Sequence, residues 1–173
     1  MKFYVKLDVL SAGPSVLILK SGLRICSNGA ARTNIPILQD YAYFEVKLQN
    51  NAGAAWAVGL CTNETPLDSI QSLTQSSSCW ILKNDMKIWN HGKVIGHLVK
   101  SIEQDNIIGV YYDKEQINQH FDYVDNINGV VYPVLGVEED SVLDVMFTAN
   151  SFKYPPPIEG FGEITFQKEV TFK

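Results

Sequence analysis

The chain has 173 residues, is 46% hydrophobic and carries a net charge of -5. That is enough apolar material for one domain with a sizeable core, here spanning residues 1–173, and too much for a disordered chain. The acidic balance argues against nucleic acid and anionic membranes as partners, and no apolar run has the length needed to span a bilayer.

Phe3, Val5, Leu7 and Val9 alternate with Tyr4, Lys6 and Asp8, the period-two pattern of a first strand. This opening lacks the unbroken apolar stretch of a signal peptide, so a cytoplasmic location is expected. Val16 to Leu19 form a short apolar run, expected as a strand buried on both faces. Ser21-Gly22 turns the chain and Leu23 to Cys26 pairs back. Ser27 to Leu38, punctuated by Asn28-Gly29 and Ile35-Pro36, reads as a loop with Arg32 in it.

Tyr43 to Leu60 is the best-patterned stretch. Phe44, Val46 and Leu48 face one way, the buried way, while Tyr43, Glu45, Lys47 and Gln49 face the other. After the break at Asn50 to Gly53, Trp56, Val58 and Leu60 repeat the pattern with Ala55, Ala57 and Gly59 opposite. Small residues on that face let another backbone or a large side chain come close. This antiparallel hairpin is expected to form the centre of the core.

Thr65 is expected to cap one helical turn over Pro66 to Ile70. Cys79 to Lys83 and Met86 to Trp89 read as two strands about an Asn84-Asp85 turn, with a short strand at Lys93 to Ile95. Ile107 to Tyr112 form another strand, and Ile117, Phe121 and Tyr123 face inward from the next. Val130 to Leu135 contain Pro133, which marks an edge or a bulge because proline cannot donate to a ladder. Leu143, Val145 and Phe147 alternate; Tyr154 to Gly160 are irregular; Ile164, Phe166, Val170 and Phe172 close the chain. About a dozen short strands with almost no helix predict an all-β, antiparallel two-sheet sandwich. The first and last strands are expected to lie near each other.

Cys26, Cys61 and Cys79 read as reduced thiols, not a disulfide framework. No hydrolase elbow or phosphate-cradling glycine loop is present. His91, His97 and His120 have no cysteine at zinc spacing, and Glu138, Glu139 and Asp140 lack the alternating ligands of a calcium loop. No cofactor, metal or enzymatic activity is therefore expected.

Tyr43-Phe44-Glu45-Val46-Lys47-Leu48 and Trp56-Ala57-Val58-Gly59-Leu60 resemble the core strands of the SPRY family. Cys79-Trp80-Ile81-Leu82 is similar to its tryptophan strand. Asp105 to Asp113 with Gly109 between resembles its aspartate-glycine-aspartate strand, and Val131-Tyr132-Pro133-Val134 its tyrosine-proline strand. The resemblance implies a bent sandwich of the concanavalin-like kind. It also implies binding of short segments of other proteins through loops at one end, without catalysis. In peptide-binding relatives the loop after the tyrosine-proline strand is largely uncharged; here it is Val137-Glu138-Glu139-Asp140-Ser141. Successive carboxylates would repel an acidic peptide, so a basic segment is expected. The family's asparagine-glycine hairpin is altered to Asp122-Tyr123-Val124-Asp125-Asn126.

Trp56 and Trp80 are assigned to the core and Trp89, on the face of Lys87, to a possible binding anchor. Arg32 and Tyr41 border the loop that the resemblance places at the binding surface, with Asn63 and Glu64 in the next loop at the same end. Together with Glu138 and Glu139 these are the candidate partner-binding residues. The expected function is that of a monomeric protein-interaction module; a carbohydrate-binding sandwich is the alternative.

Overall fold

The computed structural model describes residues 4–114, 127–156 and 158–166. Among them eleven strands run in chain order: β1 (Val16–Leu19), β2 (Arg24–Ser27), β3 (Gly29–Arg32), β4 (Tyr41–Asn50), β5 (Trp56–Cys61), β6 (Cys79–Lys83), β7 (Lys87–Asn90), β8 (Lys93–His97), β9 (Ile107–Asp113), β10 (Tyr132–Val137) and β11 (Val142–Met146). One short helix, α1 (Ile70–Gln75), sits between β5 and β6. The strands form a five-stranded sheet, β1-β2-β11-β4-β9, and a six-stranded sheet, β3-β10-β5-β6-β7-β8, antiparallel at every pairing. The all-β sandwich expected from the spacing is what the chain forms.

The core lies between the sheets. Phe44, Val46 and Leu48 of β4 meet Trp56, Val58 and Leu60 of β5, with Trp80, Leu135, Leu143 and Phe147 around them. Phe44 and Phe147 stack at 5.8 Å between ring centres. The stretch expected as an antiparallel hairpin is therefore an arch: β4 and β5 lie in different sheets and meet through their apolar faces across the sandwich. A second apolar cluster lies on the outer face of the six-stranded sheet, where α1 seats Ile70 and Leu73 over Ala57, Cys61, Cys79, Ile81 and Val134. Gly59 serves the close approach anticipated for it, since a Cβ there would collide with the backbone of Trp80 and Ile81.

Several expectations are corrected. Val16–Leu19 is an end strand, half-buried on the Val16 and Ile18 face and open on the other, where Leu17 and Leu19 are 57% and 49% exposed. The stretch read as one loop contains β3, whose Ala30 and Ala31 are too small to show alternation yet pack into the two clusters on opposite faces. Pro133 lies in an interior strand, paired with Leu60 on one side. On the other side its carbonyl accepts the Thr33 N–H at 3.0 Å just beyond the last β3 pair, so the missing donor falls where the ladder is ending. The helix starts one turn late: Ser69 Oγ caps it by accepting the Ser72 N–H, while Thr65 donates to Ser78 O.

The largest correction is at β4. Tyr43 and Glu45, expected to face solvent, are 2% and 0% exposed. Residues 149–156 and 158–163 cross the outer face of the five-stranded sheet and cover them. Phe152 packs edge-on against Tyr43 and Phe161 against Tyr41 and Tyr111. The Glu45 carboxylate accepts the N–H groups of Lys153 and Tyr154 at 2.6 and 2.8 Å and the Tyr43 hydroxyl at 2.8 Å. Three donors compensate a buried carboxylate that would otherwise be costly.

Residues 4–9 make no regular strand; Leu7 forms a single bridge with Thr33. The expected strand at 117–123, the altered hairpin at 122–126 with His120, and the last strand's Val170 and Phe172 lie outside the described residues, as does Phe3. Lys6 exchanges hydrogen bonds with Asn34, and Thr165 donates to Gln39 Oε1, so both described extremes of the chain abut the loop 33–40. No helix among the described residues is long and apolar enough to cross a membrane.

Candidate functional site

Antiparallel pairing sorts the connections between the two ends of the sandwich. The loop 33–40 joins the end of β3 to the start of β4. The segment after β5 and the approach to β10 lie at that same end, because Tyr132 pairs with Cys61. The β4–β5 connection and the β10–β11 turn lie at the other end, where Val137 pairs with Trp56 and Val142 with Asn50.

At the first end the sequence brings an arginine, an aromatic ring and a loop together. Arg32 is the last residue of β3 and shares the outward face of Ala30, away from the core contact of Ala31. Tyr132, opposite Cys61 on the neighbouring strand, presents its ring beneath the Arg32 guanidinium, 5.3 Å from ring centre to Cζ. Arg32 Nη1 also donates to Asn63 O at 3.2 Å. Stacking on one side and a carbonyl on the other restrict the guanidinium, and Arg contributes five N–H donors in all. Asn63 and Glu64 are exposed beside it, and Glu64 N–H is held by Thr62 Oγ1 at 3.4 Å. Leu38 and Val130 are 50% and 55% exposed on adjoining loops, which are joined by the Ile37 N–H to Val131 O bond. Beneath this surface, burial pushes the Cys61 thiol up to about 12, against the lowering influence of Arg32 and a Thr65 hydrogen bond.

The remaining candidates stand elsewhere. Tyr41 shares the outward face of Tyr43 on the opposite sheet and lies under Phe161, so it points away from Arg32. Trp89 is half-buried at the margin of the α1 cluster, its indole N–H donating to Asp85 Oδ2 at 3.1 Å and Lys83 Nζ lying 5.0 Å from its ring. Glu138 and Glu139 are at the far end, about 17 Å away along the six-residue β10. There the Glu138 N–H bonds Ala55 O and the Glu139 N–H bonds Asn28 Oδ1. The seven residues thus form no single surface. Their acidic turn cannot select what binds beside Arg32, and the reason for expecting a basic segment there falls. Tyr132 was the partner missed; its position two residues before Val134 put it on the Arg32 face.

Among the described residues no cluster of histidine, cysteine, aspartate and glutamate suits a metal. A cavity of about 200 Å³ opens between Phe152, Pro155, Pro156 and Phe161 of the crossing segment.

A family model described as SPRY domain matches residues 41–150. The chain is 30% identical to SPRY domain-containing protein 7 of Gallus gallus over 174 aligned residues, covering 96% of this chain and 86% of that one. The Homo sapiens protein of that name is 29% identical over the same shares. Among solved structures, the TRIM65 PSpry domain superposes with a TM-score of 0.64 at 13% identity, covering 82% of this chain and 91% of its own. The SPRY domain of human HERC1 gives 0.63 at 13% identity, with 80% and 96% covered.

Proposed function

Since the chain belongs to the SPRY domain family, a family of protein-interaction modules, we propose that it is a non-enzymatic module that holds a short segment of a partner protein across the Arg32 end of the sandwich. The observation that carries this reading is the arginine stacked on Tyr132 and tied to Asn63 O. It is a preformed anchor of the residue types that dominate binding energy, at the end where three loops meet. Leu38 and Val130 supply exposed apolar contact on either side, and Glu64 supplies a carboxylate. Such a surface is shallow, and it suits an extended or turn-shaped segment whose backbone meets the loop amides and carbonyls.

A displayed peptide library selected on the folded protein tests this. Selected peptides are expected to perturb amide resonances in the 32–40, 62–65 and 128–132 stretches. Arg32→Ala is expected to cost about 1–2 kcal/mol of affinity with the melting temperature unchanged. Peptides that bind wild type and Arg32→Ala equally would reject the placement. The sugar-binding alternative rested on Trp89, whose ring is capped by Lys83 and whose N–H is engaged by Asp85; a glycan array is expected to be blank.

A further inference from the structure

The six-stranded sheet has two end strands, and they are treated differently. At β3 the outer edge is occupied: Arg32 O and Ala30 O accept the N–H groups of Asp8 and Gly13 at 2.8 and 2.9 Å, and Ala30 N–H donates to Leu67 O at 2.9 Å. At β8, four of the five residues are exposed, and among the described residues no backbone hydrogen bond reaches its outer side. Val94 and Ile95 are 46% and 45% exposed there, and Val99 just beyond is 91% exposed. The hairpin is firmly seated on its inner side, because His91 N–H donates to Ser76 O and Gly92 N–H to Thr74 O, fixing its turn against α1. Charge is distributed unevenly too. Residues 86–102 contain Lys87, Lys93, Lys100, His91 and His97 and no aspartate or glutamate, within a chain whose net charge is -5.

We propose that β8 docks an acidic, extended segment of another protein by adding it to the sheet as a further strand. The open ladder supplies backbone hydrogen bonds, which an extended segment satisfies and a lipid surface does not. The lysines flanking the edge attract carboxylates across the new pairing and repel a second β8 edge, which bears the same charge. A register shift between Ile88 and Trp89 makes Ile95 the extra residue opposite β7, which leaves two aliphatic side chains in succession for the incoming strand to cover. β8 lies about 24 Å across the sheet from β3, so this docking is independent of the Arg32 surface.

The test is titration of the folded protein with a capped peptide of alternating glutamate and valine, followed by amide resonances and hydrogen exchange. The expected result is slowed exchange at residues 93–97 and binding weakened about tenfold by Lys87→Glu with Lys93→Glu and by raised salt, while Arg32→Ala has no effect. Lys100→Glu, beyond the strand, is the second variant should the pair disturb folding, and it is expected to weaken binding severalfold. Equal binding of a capped control peptide of alternating lysine and valine, perturbation confined to other surfaces, unchanged exchange in β8, or binding only to phosphatidylserine vesicles would each overturn the proposal.

Discussion

Glu45 has a role that its position in an alternating strand conceals. Its carboxylate holds three donors, two of them backbone N–H groups of Lys153 and Tyr154. Burial and this hydrogen bond push the Tyr43 hydroxyl far up, which keeps the phenol a donor. Glu45→Ala takes away the acceptor of all three, leaving the Tyr43 hydroxyl only Tyr154 O at 3.2 Å, and we expect a loss of about 1–3 kcal/mol in urea unfolding. Asp144 is a second such residue. Burial alone would raise it, but hydrogen bonds from Arg24 and Lys20 outweigh that and hold it below the usual carboxylate range. A carboxyl lowered in the folded state adds stability above its unfolded value and loses it as pH falls through the folded one. The urea midpoint should therefore fall in the acid limb below the ordinary carboxylate range, and Asp144→Asn should flatten that limb. The thiols differ as well: burial raises both Cys61 and Cys79, while Cys26 is half-buried. Iodoacetamide on the native protein is expected to label Cys26 well before the other two by mass spectrometry.

Among elements, residues 149–156 and 158–163 act as a cover strip for the five-stranded sheet. Gly109, paired with Glu45, makes room for the Tyr43 ring on which Phe152 of that strip packs: a Cβ there would lie 2.9 Å from Tyr43 Oη and 3.0 Å from Tyr43 Cε2. Gly109→Ala should cost about 1–3 kcal/mol and loosen Phe152, read as faster proteolysis of the strip. The inner half of β4 was legible because Phe44, Val46 and Leu48 carry the period by themselves. The outer half was not, because what buries Tyr43 and Glu45 comes from more than a hundred residues away. The same reason hid β3. Gly29-Ala30-Ala31 has no bulk to alternate, and its burial is supplied by Leu67 and the sandwich core. Pro133 misled in the other direction, since a ladder that is ending tolerates it in an interior strand.

For the molecule as a whole, the architecture followed from strand spacing, and the family from motifs spread over β4 to β10. The grouping of candidate residues did not, although strand direction carried the missing signal. Every hairpin reverses the chain, so the connection after β10 had to fall at the opposite end from those after β3 and β5. Ending the chain after Thr148 should lower the melting temperature by roughly 10 °C or more, since it uncovers Tyr43, Tyr111 and Glu45 together. Lys6 and Thr165 both fasten to the loop 33–40, so a label at either position hangs over the Arg32 end. A fluorophore or affinity handle belongs instead at Ala52-Gly53, an exposed turn where an added Cβ on Gly53 meets nothing within 4 Å. Bait labelled at Lys6 or Thr165 would screen the very contacts it was made to find.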